Sequence, residues 1–260
     1  MKAVEARTAD SAAQIVFLCE HASNHIPEDL SALGLSEEAL SSHIAWDLGA
    51  LPLAEALARH FEAPLVAACV SRLVYDCNRP PEAPDAIPER SEVYDIPGNR
   101  NLSEAERRRR VHEVYEPFHQ AVTALLDARD ARRLSTALVT VHSFTPSYNG
   151  RPRSVELGIL HDEDSRLADL LLENAQAITG LKSARNDPYG PDDGVTHSLQ
   201  RHGIARGLPN VMLEIRNDLL RGPEQRQEIA EKLARLIEIA LEALSGPPNE
   251  RPASTAGKAG

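Results

Sequence analysis

A histidine leaves the first apolar run of the chain in "QIVFLCEHASN" (14–24), and another leaves a later run in "ALVTVHSF" (137–144). A neutral imidazole is a common zinc ligand, and catalytic zinc usually takes three protein ligands and keeps one position open. Two histidines at equivalent strand ends therefore point to a metal site at His21 and His142, although a lone histidine is more often a structural residue. The third ligand is open among Glu20, Asn24, His25, His43 and Asp47. Asn24 offers only an uncharged carbonyl, and Glu20, next to His21 on a strand, would point to the opposite face. Asp47, in "HIAWDLGA", is a hard anionic donor.

Two further stretches carry chemistry. "SRLVYDCNR" (71–79) gathers Arg72, Asp76, Asn78 and Arg79. Arginines beside an apolar strand suit bidentate binding of carboxylates, with surface pairing to nearby acids as the plainer alternative. "NVMLEIR" (210–216) places Glu214 in an otherwise apolar strand. An ionised carboxylate is costly to bury there unless it is paired, and burial raises its pKa toward the range of a general base working near neutrality. An ion pair with Arg216 is the alternative.

The elements that must position these residues alternate. Strands are predicted at 14–19, 64–70, 137–144, 155–161 and 210–216. Helices are predicted at 37–61 (N-capped by Ser36, bent near Gly49 or Pro52), 103–133 (opened by a Ser103/Glu106 capping box, kinked before Pro117), 164–178 and 223–245, with a short one at 195–205. The alternation predicts a single α/β domain: a mixed, largely parallel sheet with helices on both faces, whose ligands bind beyond the C-terminal strand ends. Residues 1–13 read as a flexible N-terminus, 14–246 as the catalytic domain and 247–260 as a disordered tail. The Pro-rich stretch 80–102 reads as a lid, a binding loop or a disordered loop.

Acids outnumber bases by 39 to 28, for a net charge of −11, which argues against a nucleic-acid binder. The basic run "RRRR" (107–110) is flanked by glutamates and reads as a solvated helix face. Cys19, Cys69 and Cys77 are odd in number and sit in or beside apolar runs, as reduced cytoplasmic thiols do. No apolar stretch approaches the roughly 18 residues of a membrane span, and no signal peptide is read.

Taken in order, "FLCEHASNHIP", "WDLGA", "SRLVYDCNR", "VHSFTP" and "LPNVMLEIRNDLL" resemble the N-formylglutamate amidohydrolase family, over roughly residues 14–240. That family is distantly similar to the zinc carboxypeptidases and aspartoacylases, so the resemblance implies a zinc-carboxypeptidase-like (phosphorylase/hydrolase-like) fold and one divalent ion, expected to be zinc. It implies His21 and His142 as metal ligands, Asn78 and Arg79 as a clamp on a substrate carboxylate, Arg72 as the group polarising the scissile carbonyl, and Glu214 as general base. The carboxypeptidase pattern has Glu where this chain has Asn24, so the carboxylate ligand is assigned to Asp47. "EHAS" also departs from the "PHSG" or "PHPG" of typical members, which is compatible with another N-acyl substrate. The implied activity is metal-dependent hydrolysis of the amide of a small, acidic N-acyl amino acid. Alternatives are a metallo-carboxypeptidase or amidase acting on small peptides or cell-wall fragments, and a non-catalytic carboxylate-binding protein. A cysteine hydrolase built on Cys19 is disfavoured because that thiol lies within an apolar strand.

Overall fold

The computed structural model describes residues 2–7 and 10–246. Its centre is a seven-stranded sheet of β1 (Val4–Arg7), β2 (Ile15–Cys19), β3 (Leu65–Ala68), β4 (Ala137–Phe144), β5 (Leu157–Leu160), β6 (Ser183–Arg185) and β7 (Asn210–Arg216), in the order β1-β3-β2-β4-β7-β5-β6. Strands β3, β2, β4 and β7 run parallel, β1 is antiparallel to β3, and β5 is antiparallel to β7. This is the mixed, largely parallel α/β sheet that the alternation predicts.

Alternate side chains of the central strands enter two cores, because successive residues of a strand face opposite ways. Ile15, Phe17 and Cys19 pack with α2 (Ala50–His60), α5 (Arg166–Thr179) and α6 (Pro223–Ser245). Val16 and Leu18 pack on the other face with Phe118, Val122 and Leu125 of α4 (Glu116–Ala131). Strands buried on both faces need no polar alternation, so β2 and β4 read as continuous apolar runs. Among the described residues, no helix is long and apolar enough to cross a membrane.

Several expectations need correction. The segment 1–13 is not loose throughout: Val4–Arg7 forms the edge strand β1, paired with β3. A short edge strand draws its order from one neighbour and needs no long apolar run. The helix expected over 37–61 is two pieces, α1 (Glu37–Ser41) and α2, separated by turns at 42–49. The helix expected over 103–133 runs as α3 (Glu104–Arg110), a wide π turn at Val111–Tyr115 and α4, and this irregularity sits just before Pro117. Arg110 leaves the solvated face of that helix; it is buried and donates from Nη1 to Asn99 Oδ1 at 2.7 Å. The stretch 80–102 is ordered into short 3₁₀ turns and a hairpin pairing Arg90–Ser91 with Tyr94–Asp95. The tail expected at 247–260 lies outside the described residues.

Candidate active site

The parallel strands deliver their C-terminal ends to one cavity of about 330 Å³, lined by His21, Asp47, Arg72, Asn78, Arg79, His142 and Glu214 among others. His21 follows the end of β2. His142 and Glu214 are paired in register on β4 and β7, so they share one face of the sheet. Gly158 on β5 stands opposite Glu214, and a Cβ there would lie 2.5 Å from the Asp187 carbonyl and 3.1 Å from Glu214 Cβ. Only glycine fits that gap.

Asp47 is placed by the break between α1 and α2. Its N–H donates to the His21 carbonyl at 3.0 Å, Ser143 Oγ donates to the Leu48 carbonyl at 2.8 Å, and Ser71 Oγ donates to the Ala45 carbonyl at 2.7 Å. The turn closes at Gly49, which has φ +83° and whose Cβ would strike Leu220 Cβ at 2.6 Å. A continuous helix would have carried Asp47 away from the strand ends.

Three donor atoms converge here. His21 Nδ1 lies 3.1 Å from His142 Nδ1 and 3.3 Å from Asp47 Oδ2, and His142 Nδ1 lies 2.8 Å from Asp47 Oδ2. Donors about 2.0 Å from a tetrahedral zinc ion stand roughly 3.3 Å apart, so the triangle has the right size. The outer nitrogens lie near carboxylates: His21 Nε2 is hydrogen-bonded to Asp76 Oδ1 at 2.7 Å, while His142 Nε2 is 3.1 Å from Glu20 Oε2 without the geometry of a hydrogen bond. A proton on the outer nitrogen of His21, held by Asp76, leaves its inner nitrogen free as an acceptor between His142, Asp47 and Arg72 Nη1 at 3.1 Å, the carboxylate–histidine pattern found behind metal ligands.

The charges agree. Asp47, Asp76 and Glu20 are buried, and Arg72 donates to Asp76 at 2.9 Å and to Asp47 at 3.4 Å. Three negative charges and one positive leave two negative charges uncompensated when the imidazoles are neutral. The imidazoles respond to that deficit. Burial pushes the His21 pKa down, as does Arg72, but Asp76 and Asp47 carry it above its ordinary value. Burial likewise opposes the charged form of His142, yet Glu20 and Asp47 hold it well above. Two protons thus supply the charge that one divalent cation would bring, and the residues present fit such an ion. Against the cost of burial, His21 and His142 hold Asp47 low, and His21 and Arg72 hold Asp76 well below its ordinary value.

Glu214 differs from these carboxylates. Burial is the largest influence on it and pushes its pKa up to about 7. Its Oε2 is buried with no hydrogen-bond partner. The alternative pairing with Arg216 is not made, since that guanidinium is taken by Asp218 and Glu156.

Asn78 and Arg79 line the cavity, but much of their polar capacity is engaged. Asn78 Nδ2 donates to the Val195 carbonyl, and its Oδ1 accepts from Ser198 N at 3.0 Å. Arg79 Nε donates to Asp85 at 2.7 Å, Nη1 to the Gly194 and Asn78 carbonyls, and Nη2 to the Asp193 carbonyl at 3.3 Å. Of five guanidinium N–H groups, one on Nη2 remains open. Asn24 lies away from the donor triangle and donates to the Leu40 carbonyl at 2.9 Å, while His25 is exposed and His43 is 2.7 Å from Glu92 at the cavity mouth.

Sequence reasoning missed the parts played by Asp76 and Glu20. Asp76 bridges His21 and Arg72 and also accepts from Asn78 N at 2.8 Å, so one side chain orients three neighbours. The signal was an acid set between Arg72 and Asn78 in "YDCNR".

The family model for N-formylglutamate amidohydrolase matches residues 13–221. Among solved structures, a gene product of Agrobacterium tumefaciens is 51% identical, with 95% of this chain and 97% of that chain covered and a TM-score of 0.93. The N-formylglutamate amidohydrolase of Ralstonia eutropha is 22% identical, with 93% and 98% covered and a TM-score of 0.71, a likeness of fold. No curated protein matches the chain.

Proposed function

The chain belongs to the N-formylglutamate amidohydrolase family of amide-bond hydrolases, and from that premise we propose that it hydrolyses the amide of a small N-acyl amino acid resembling N-formylglutamate, with one divalent ion, zinc by preference. The observation that carries this reading is the donor triangle of His21, Asp47 and His142 beside a buried, unpartnered Glu214. An ion held by those three residues would serve as a Lewis acid toward water and the acyl carbonyl.

The remaining chemistry falls to the chain. Glu214, whose pKa burial raises above the ordinary carboxylate range, can accept a proton from the attacking water and pass it to the leaving nitrogen as the carbon–nitrogen bond breaks. The products are the free carboxylic acid, formate for a formyl substrate, and the free amine. Arg72, fixed by Asp76, would stabilise the oxyanion; losing one such donor typically costs about 3–4 kcal/mol of barrier. The open N–H of Arg79, with Asn78 fixing the adjoining segment, would meet the α-carboxylate and orient the amide.

The mouth favours a small substrate over a polymer. The hairpin at 90–95 and a second pairing Ser147–Tyr148 with Arg151–Pro152 meet there, where Glu92 Oε1 accepts from Asn149 N at 3.1 Å. The test is a panel of N-formyl, N-acetyl and longer N-acyl amino acids, assayed with chelator and again with added zinc. Zinc-dependent release of the free amino acid from at least one short N-acyl compound is expected. Activity confined to peptides or cell-wall fragments, or none on any member with zinc present, would overturn the reading.

A further inference from the structure

We propose that the acyl group of the substrate is an alkyl chain of several carbons, longer than formyl, which lies along an apolar wall built by Ile44, Phe144 and Tyr148. This rests on the amidohydrolase reading above and deepens it on the acyl side of the amide.

The lining of the strand-end cavity divides into two groups by its own bonds. Asn78 and Arg79 are tied to the 193–195 segment through the Val195, Gly194 and Asp193 carbonyls. His43, Glu92 and the hairpin at 147–152 are tied together through Glu92, which lies 2.7 Å from His43 Nε2 and accepts from Asn149 N at 3.1 Å. The first group carries the Arg79 guanidinium and suits the carboxylate arm of the amide. The second belongs to the segments that bear the candidate metal ligands. Ile44 precedes Asp47 by three residues, and Phe144 follows His142 by two on the same face of β4. The scissile carbonyl has to lie at those ligands, so the arm on the carbonyl side, the acyl chain, falls to the second group.

That group offers apolar surface, because several of its polar atoms are spent within the protein. Both Glu92 oxygens are engaged as described, Ser143 Oγ donates to the Leu48 carbonyl at 2.8 Å, and Thr145 Oγ1 donates to the Ser147 carbonyl at 2.6 Å. Ile44, Phe144 and Tyr148 line the cavity beside them. The guanidinium carbon of Arg153 lies 4.8 Å from the Tyr148 ring centre, 5.5 Å from that of Phe144 and 4.7 Å from that of Tyr189, so one cation gathers the rings into a wall. Among the described residues, the large hydrophobic side chains left exposed are Val93, at 72%, and Tyr148, at 40%, and both stand on the hairpins that meet at this mouth. Apolar side chains gathered in the open at the rim of a cavity mark a ligand contact. The cavity of about 330 Å³ reaches the range of roughly 300–1,000 Å³ found for pockets that take drug-sized ligands. A formyl group has no methylene to bury on the wall. An alkyl chain of several carbons does, running past Phe144 toward Tyr148. Water adds its hydroxyl to the acyl carbon and a proton to the leaving nitrogen, which frees a short fatty acid and the amino acid.

The experiment measures kcat/KM for N-acetyl-, N-propanoyl- and N-butanoyl-L-glutamate on the zinc-loaded wild type, Ile44→Thr and Tyr148→Ser. The acetyl compound is the reference, because a formyl carbonyl is intrinsically more reactive than the others. In the wild type, kcat/KM should rise about fourfold for each methylene added. In each variant the butanoyl-to-acetyl ratio should fall about 3–10-fold. Thermal melts report folding, and Tyr148→Ser, at an exposed hairpin position, decides the matter if Ile44→Thr does not fold. A rate that fails to rise with the acyl chain, or a ratio that the folded variants leave unchanged, would overturn the wall while the amidohydrolase reading stands. If none of the three compounds is hydrolysed, it is the substrate reading that fails, and calorimetric binding of the same series then judges the wall. Affinity that rises with chain length in the wild type and not in the variants upholds it, and any other pattern overturns it.

Discussion

Two pairs of buried histidines face one another in this molecule. His21 and His142 approach at 3.1 Å at the strand ends, while His119 of α4 and His202 approach at 2.7 Å on the far side of the 71–79 stretch. Burial disfavours the charged form in all four. The outer nitrogens of the first pair face Asp76 and Glu20, and its pKa values are raised. In the second pair, His119 Nε2 donates to the Cys77 carbonyl, and the nearby charge is that of Arg201. Burial, with the neighbouring histidines, takes His119 down to about 2, and burial with Arg201 takes His202 to about 3. The second pair is satisfied as neutral rings joined by one N–H···N bond. The first lacks positive charge and calls for a cation. Carboxylates behind the rings, more than burial or proximity, separate the candidate metal site from a structural contact.

The largest effect expected from a single substitution that leaves the metal site intact is at Glu214. Glu214→Gln should fold and keep its metal while kcat falls about 10²–10⁴-fold, the range for losing a general acid–base group. In the wild type, activity should rise with pH as Glu214 ionises, and the variant's residual rate should lack that limb. Stability of the metal-free protein should show the reverse. A carboxyl with a raised folded pKa contributes stability that is present below its ordinary value of 4.5 and lost as pH rises through about 7. Thermal melts should therefore favour the variant above neutrality. A variant that loses metal would make Glu214 a ligand.

Asp76→Asn probes the backing of the first pair and should act more mildly. Metal affinity should fall about 10–100-fold, as for other partners of metal-bound histidine, and turnover should fall further through loosened Arg72. Competition with a chromogenic chelator measures the first, and an unchanged affinity would remove the carboxylates from the explanation of the contrast.

His119→Gln sharpens the comparison from the other side. It should leave metal content and kcat in place and cost about 1–3 kcal/mol of stability, read from denaturant unfolding. The pH dependence should also differ. A histidine with a depressed folded pKa contributes stability present above its ordinary value of 6.5 and lost as pH falls toward about 2, so the wild type should lose stability below pH 6.5 faster than the variant. Loss of metal in His119→Gln would erase the distinction between the pairs.

Much of this was legible in the chain. The buried strands announce themselves as short apolar runs, and His21, His142 and Glu214 stand out because polar groups at such places need a reason. Asp47 was reached through the family resemblance, since its approach to His21 depends on a break in the helix pattern that local periodicity reads through. The edge strands β1 and β6 were missed because three or four mixed residues give too short a pattern. The antiparallel direction of β5 has no local signal. Asn78 and Arg79 are visible as a motif, but their bonds to the 193–198 segment cross more than a hundred residues.

His21, Asp47 and His142 are expected to form one metal site. Elemental analysis of the wild type and His142→Asn, each equilibrated with excess zinc and then freed of unbound ion, tests it most directly. The wild type should retain about one ion per chain, as a site of three protein ligands implies, and His142→Asn should retain almost none while its melting shows a folded protein. No bound ion in the wild type, or equal retention in the variant, would mean that these three residues do not hold a metal.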